Sequence, residues 1–85
     1  MAERIPVEQL AAMRAADPII RQLRVLRTER GITLMRVGAL IHMAYQTVNA
    51  WESGRHEPPI STVRRWARAL GYDLVLVPRE PPVPD

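Results

Sequence analysis

The sequence contains no cysteine. A chain without cysteine cannot form a disulfide, and its two histidines, His42 and His56, make a poor zinc site without thiolate ligands. The sequence also lacks a Gly-rich phosphate loop and a pair of acids at catalytic spacing. These absences argue against an enzyme. We therefore expect no catalytic residue, no metal and no cofactor.

Long apolar runs are also missing. No stretch is long enough to cross a bilayer, and the first residues lack the apolar core of a signal peptide. We therefore expect a cytoplasmic protein with no membrane partner. With 85 residues the chain makes one small domain, whose modest core is often supplemented by oligomerisation.

Lysine is absent as well, so all twelve basic residues are arginines. The net charge of +3 is unevenly distributed. Residues 19–72 contain nine arginines and three acids, whereas the segments before and after them are slightly acidic. A basic domain of this size favours nucleic acid over an acidic protein or a membrane surface as partner.

The first two segments have helical patterns. Residues 1–17 have a thin apolar stripe, which predicts a helical or frayed N-terminal extension to which no role is assigned. Asp17 and Pro18 then form a helix cap and first helical position, and Gly31 ends that helix. Its predicted inward face is aliphatic, and its outer arginines are expected to be solvated: Ile19, Ile20, Leu23 and Leu26 inward; Arg21, Arg24 and Arg30 outward.

A second short helix is predicted after Thr33, whose hydroxyl can cap it. Gly38 in its interior costs about 1 kcal/mol in helix propensity relative to alanine. We therefore expect another helix to approach closely at this glycine. Its predicted inward residues are Leu34, Val37, Leu40 and Ile41.

The chain is organised around the stretch from Met43 to Gly54. Val48 and Trp51 are three residues apart and can point inward, while polar residues occupy the opposite face. Asn and Gln match the donor and acceptor pair of adenine, and Tyr can contact a base or a thymine methyl. An ordinary solvated surface is the alternative. Since few residues separate this helix from the previous one, the geometry predicts a helix-turn-helix.

The remaining chain is predicted to form a helix, a strand and a tail. The helix spans residues 60–70, stops at Gly71 and has an inward face that includes Trp66. Residues 72–78 have the composition of a single strand with no partner in the chain, and residues 79–85 form a Pro-rich disordered tail. The predicted inward residues of the helix are Ile60, Val63, Trp66, Ala67 and Leu70.

Residues 33–54 resemble the helix-turn-helix of the phage Cro and repressor family, also called the xenobiotic-response-element (XRE) family. The resemblance rests on Val48-x-x-Trp51-Glu52-x-Gly54 and on the helix ending Ala67-Arg68-Ala69-Leu70-Gly71. It implies an all-α, four- to five-helix DNA-binding domain over residues 18–71. The sequence departs from the family pattern at the start of the second helix, in the turn and before the recognition helix: Leu34, His42 and Ala44.

The resemblance also implies the site residues. Glu52 is expected to pair with Arg27 on the first helix, as the matching residues commonly do in the family. Base-reading residues would lie on the recognition helix: Tyr45, Gln46, Thr47, Asn49 and Ala50. Phosphate contacts would come from its flanks: Thr33, Ser53, Arg55 and His56.

We interpret the sequence as a dimeric regulator that binds double-stranded DNA, most simply a repressor on a pseudo-palindromic operator. The homodimer would form by pairing of the C-terminal strand with its own copy, through Tyr72, Leu74, Val75, Leu76 and Val77. The alternative is an antitoxin of the HigA or HipB kind, which has a similar architecture and neutralises a cognate toxin protein. A neighbouring gene for a small nuclease or kinase would favour it.

Overall fold

The computed structural model describes residues 16–80, which contain four helices. These are α1 (Pro18–Glu29), α2 (Leu34–Ile41), α3 (Tyr45–Glu52) and α4 (Ile60–Ala69). The predicted N-terminal extension falls almost entirely outside the described residues, as does the end of the predicted tail. In the described part no helix is long and apolar enough to span a membrane.

The helices begin and end at the residues that the sequence indicates. The Asp17 carboxylate accepts a hydrogen bond from the Ile19 N–H at 2.8 Å, and Pro18 occupies the first helical position. The Thr33 hydroxyl caps α2 by accepting from the Arg36 N–H at 3.0 Å. Gly31, just after α1, has a positive φ of 67°. Side-chain caps satisfy amide donors that a helix start leaves unpaired, so these short helices have defined ends.

The core lies between the four helices, with α2 packed against both α3 and α4. Val37, Val48 and Trp66 are fully buried, one from each of these three helices. Trp51 lies beside Trp66, with ring centroids 6.2 Å apart. The prediction that both tryptophans belong to the core is therefore confirmed. Aromatic side chains of this size contribute much of the buried apolar surface in a small domain.

Three predictions of inward-facing residues are wrong. Ile19, Leu40 and Ile60 are exposed by 43%, 41% and 69%. Ile19 and Ile60 lie in the first turns of α1 and α4 and both line an open pocket. Leu40 lies at the edge of the stripe formed by Val37 and Ile41. Spacing indicates the face of a helix but not how far the neighbouring helices cover it.

The segment after α4 is anchored at its start. The Tyr72 N–H donates to the Ala67 carbonyl at 2.9 Å, and the Tyr72 ring lies 5.1 Å from the Arg30 guanidinium carbon. Arg30 also donates to the Leu70 carbonyl and to the Tyr72 hydroxyl, the latter at 3.2 Å. Residues 72–79 form neither helix nor strand within the single chain. The predicted strand, which requires a second chain, stays a prediction.

Only one aliphatic residue of that segment lies on the domain. Leu74 is half-buried and packs against the core. Val75, Leu76 and Val77 are exposed by 69%, 102% and 74%. Three consecutive exposed aliphatic residues form an apolar surface that the described part of the chain does not cover.

Candidate nucleic-acid interface

The turn between α2 and α3 depends on the backbone of His42. This residue has φ 61° and ψ 44°, in the left-handed region. The next residue, Met43, donates its N–H to the Gly38 carbonyl at 2.8 Å. A left-handed residue after a helix reverses the chain and satisfies a terminal carbonyl. His42 therefore makes the turn, although glycine adopts this conformation more readily.

Gly38 allows the two helices to meet. A Cβ atom at this position would lie 2.4 Å from the Met43 carbonyl oxygen and 3.4 Å from the Tyr45 nitrogen. The close approach predicted from the sequence is therefore confirmed. The contact is made by the turn and by the first residue of α3. Because the contacting atoms belong to the backbone, they fix the entry of α3 against α2.

The two faces of α3 differ in burial and polarity. Val48, Trp51 and Glu52 are buried against the other helices. The residues predicted to read bases lie elsewhere on the helix: Tyr45, Gln46 and Asn49 are exposed, and Thr47 and Ala50 are half-buried. The helix thus presents amide, hydroxyl and methyl groups to solvent. An α-helix of this kind fits the major groove, where such groups match base edges.

The loop after α3 is organised by a single carbonyl group. The Ala50 oxygen accepts hydrogen bonds from the Ser53 hydroxyl at 3.1 Å, the Arg55 N–H at 3.0 Å and the His56 N–H at 3.4 Å. The Ser53 hydroxyl in turn accepts from the Arg55 Nε at 3.1 Å. Arg55 and His56 are both exposed, whereas Ser53 is half-buried. These three predicted phosphate contacts therefore lie together at the end of α3.

Thr33, the fourth predicted phosphate contact, lies at the start of α2. Its hydroxyl oxygen accepts the capping hydrogen bond, which leaves the hydroxyl proton available to donate. The side chain is exposed. Ala44, before α3, makes no side-chain cap, as its sequence indicates. The first amide groups of α3 therefore have no side-chain acceptor from their own cap residue.

Arg27 and Glu52 fix α3 to α1. The Arg27 Nε and Nη2 atoms donate to the two carboxylate oxygens of Glu52 at 2.7 and 2.9 Å. Arg27 also donates to the Ile32 carbonyl at 2.7 Å. Only 12% of the Arg27 side chain and 4% of the Glu52 side chain are exposed. The guanidinium group thus ties together α1, the loop after it and the end of α3, in the two-bond geometry that suits a carboxylate.

Sequence reasoning missed the structural roles of other arginines. Arg24 was expected to be solvated, but its Nε lies 3.7 Å from the Glu52 carboxylate. Its position three residues before Arg27, on the same helix face, is the signal that indicates this role. Arg65 donates to the Ile41 carbonyl at 3.3 Å, at the end of α2. No sequence pattern identifies that contact, because it depends on how α4 crosses α2.

Unlike Arg24 and Arg27, Arg55 makes no ion pair with any other residue between 16 and 80. Arg55 is exposed in the loop that follows α3. The described residues also contain no cluster of His, Cys, Asp or Glu that could hold a metal ion.

A family model described as helix-turn-helix matches residues 20–77. That range includes α2, the His42 turn, α3 and most of the segment after α4. No curated protein and no solved structure matches the chain.

Proposed function

Because the chain belongs to the Cro/C1-type (XRE) helix-turn-helix family of DNA-binding regulators, we propose that it is a repressor that binds a pseudo-palindromic operator as a homodimer. Its recognition helix is α3. Regulation by such a protein requires occupancy of DNA and no chemical step.

The observation that carries this proposal is the arrangement of α3. Gln46 and Asn49 are exposed on a helix whose opposite side is held by buried Val48 and by the Arg27–Glu52 pair. A helix that is already held in place needs no further backbone ordering when its side chains meet a base edge. Their amide groups offer the donor and acceptor that adenine requires in the major groove. Tyr45, Thr47 and Ala50 supply further hydroxyl and methyl contacts.

Phosphate contacts would set the orientation of the helix. Arg55 and His56 at the end of α3, with Ser53 beside them, and Thr33 at the start of α2 would hold the DNA backbone from two sides. Such contacts fix register without reading sequence. The exposure of Arg55 and its hydrogen bond to the Ser53 hydroxyl support this assignment.

The homodimer would form through residues 72–77. This segment includes the exposed Val75, Leu76 and Val77, and an antiparallel two-chain ribbon would satisfy its backbone groups. A twofold axis through the ribbon would place two α3 helices on successive half-sites, about 34 to 36 Å apart in DNA. Deletion of residues 72–85 should then give a folded monomer by sedimentation. A truncated protein that stays dimeric at micromolar concentration would place the interface elsewhere.

Selection of bound sequences from a random DNA pool tests the function. The intact protein should enrich a defined site made of two inverted half-sites about one helical turn apart. Enrichment of a single half-site would retain specific reading but contradict the dimer. Recovery of the random pool without enrichment would contradict sequence-specific binding.

The second candidate is an antitoxin of the HigA or HipB kind, which would use the same DNA surface and also bind a toxin. The exposed aliphatic residues after Leu74 favour a protein partner of some kind. A neighbouring gene for a small nuclease or kinase, whose product forms a complex with this chain, would distinguish this candidate from the repressor. Absence of such a gene would leave the repressor as the simpler function.

A further inference from the structure

The segment after α4 lies beside a cavity of about 230 Å³. Helices α1, α3 and α4 and the segment itself form its apolar wall. The exposed Ile19 and Ile60 are among its lining residues. For comparison, a buried cavity of about 150 Å³ holds a benzene molecule. We call it the Ile19–Ile60 pocket; its apolar lining includes Ile19, Ile20, Trp51, Ile60, Val63 and Leu74.

We propose that this pocket receives Leu76 from a second copy of the chain. The inference rests on the homodimer proposed above and adds the register of the ribbon and the place of one side chain.

Backbone groups determine the register. The Tyr72 N–H is already used by the Ala67 carbonyl, and Pro78 has no N–H to donate. Between them, no N–H or carbonyl group of residues 73–77 makes a backbone hydrogen bond with another described residue. A two-chain ribbon that pairs this whole five-residue stretch with its copy has its twofold axis at the central residue, Val75.

The register places one leucine opposite another. With the axis at Val75, Leu74 of one chain is directly opposite the partner's Leu76. Directly opposite residues of an antiparallel pair point to the same face of the ribbon. Leu74 lines the pocket, so the partner's Leu76 is brought to the same wall.

This arrangement accounts for two exposed features together. Leu76 is fully exposed in the single chain, and Ile60 at the pocket mouth is 69% exposed. Burial of one against the other removes apolar surface from water on both. The pocket also contacts Gly54 and His56. The seated leucine therefore abuts the loop that follows α3, on the buried side of that helix where Trp51 lies.

The native chain has no cysteine, so single-cysteine variants test the register directly. Opposite residues have Cα atoms about 4.5 to 5.5 Å apart, within disulfide range, whereas diagonal ones are about 7 to 8 Å apart. Val75→Cys should form a disulfide dimer alone. Leu74→Cys and Leu76→Cys should each cross-link poorly alone but efficiently when the two variants are mixed, allowed to exchange subunits and oxidised.

The outcomes separate this inference from the proposed function. Efficient cross-linking of Leu74→Cys or Leu76→Cys alone, in a protein that sediments as a dimer, would overturn the register and leave the dimer intact. If the native protein sediments as a monomer, both the dimer and the proposed occupant of the pocket are overturned. Sequence-specific DNA binding is measured separately, by selection from a random DNA pool, in which a monomer should enrich a single half-site.

A second comparison tests the pocket itself. Leu76→Ala should raise the dimer dissociation constant about 100-fold or more, because each of two symmetric pockets loses roughly tenfold in affinity. Val77→Ala, on the other face of the ribbon, is the matched control and should have a smaller effect. An equal rise of the dimer dissociation constant in the two variants would overturn the proposal. Retained affinity in Leu76→Ala together with loss of dimer on deletion of residues 1–15 would assign the pocket to that segment instead.

Discussion

Arg27 of α1 and Glu52 of α3 are joined by two hydrogen bonds of 2.7 and 2.9 Å. Both groups are largely buried, so their desolvation is compensated only while the pair is intact. The pair lies behind the exposed face of the recognition helix. Its integrity therefore affects where the side chains proposed to read bases point.

Removal of either partner should destabilise the fold. Arg27→Ala or Glu52→Ala should lower the free energy of unfolding by about 3 to 5 kcal/mol, since each leaves a buried charge without its partner. The double mutant should show a coupling energy of about 0.5 to 3 kcal/mol in urea unfolding. Arg24→Ala is the control and should cost less than about 1 kcal/mol, because Arg24 is more exposed and farther from Glu52. Additive single mutants would contradict the pairing.

Gly38→Ala should also destabilise the domain, although alanine is the better helix former. Helix propensity alone would raise stability by about 1 kcal/mol. The added Cβ, however, would meet the Met43 carbonyl oxygen at 2.4 Å, and backbone atoms yield only by shifting the turn. Overpacking of this kind costs about 1 to 3 kcal/mol.

Urea unfolding measures the sign of this effect. The neighbouring exposed position provides the propensity control, where Ala39→Gly should lower stability by about 1 kcal/mol. A Gly38→Ala variant more stable than the native protein would show that α3 does not depend on this close contact.

His42→Gly should raise stability, by up to about 1 kcal/mol, because glycine adopts the observed left-handed conformation without a Cβ penalty. The exposed His42 side chain makes no hydrogen bond with a described residue, so little is lost with it. His42→Val should have the opposite effect, since a β-branched residue tolerates this conformation poorly. Thermal unfolding of the two variants against the native protein gives the comparison. A His42→Val variant more stable than the native protein would contradict the left-handed conformation at this position.

Much of the fold could be predicted from local sequence. Asp17 and Thr33 are short polar residues placed before helical patterns, and each forms the expected cap. Gly38 likewise indicated a close approach, and the few residues between two helical patterns indicated a tight turn, which His42 makes. Each of these features depends on a few neighbouring residues, so sequence spacing is sufficient to locate it.

Other features depend on the arrangement of whole helices. Ile60 is exposed at an open pocket although its spacing predicts an inward position, and Arg65 reaches the Ile41 carbonyl only because α4 packs against α2. The predicted C-terminal strand is a different case. The proposed backbone pairing at residues 73–77 would require a second chain, so neither the sequence nor a single folded chain would contain its partner.

Arg55→Ala should weaken DNA binding by a similar factor on every sequence, because a phosphate contact carries no base information. It should also reduce the slope of log affinity against log salt concentration by roughly one unit. Arg64→Ala, exposed on α4, serves as the control and should leave the slope unchanged. An Arg55→Ala slope equal to that of the native protein would remove Arg55 from the DNA backbone contacts.

Base reading by the exposed face of α3 is tested most directly by comparing binding to two DNAs. Binding of Gln46→Ala and Asn49→Ala should be measured at one salt concentration on the selected operator and on random DNA. Each variant should lose about 1 to 3 kcal/mol on the operator and much less on random DNA, since only the operator presents the matching base edges. Equal losses on both DNAs would contradict base reading by these residues.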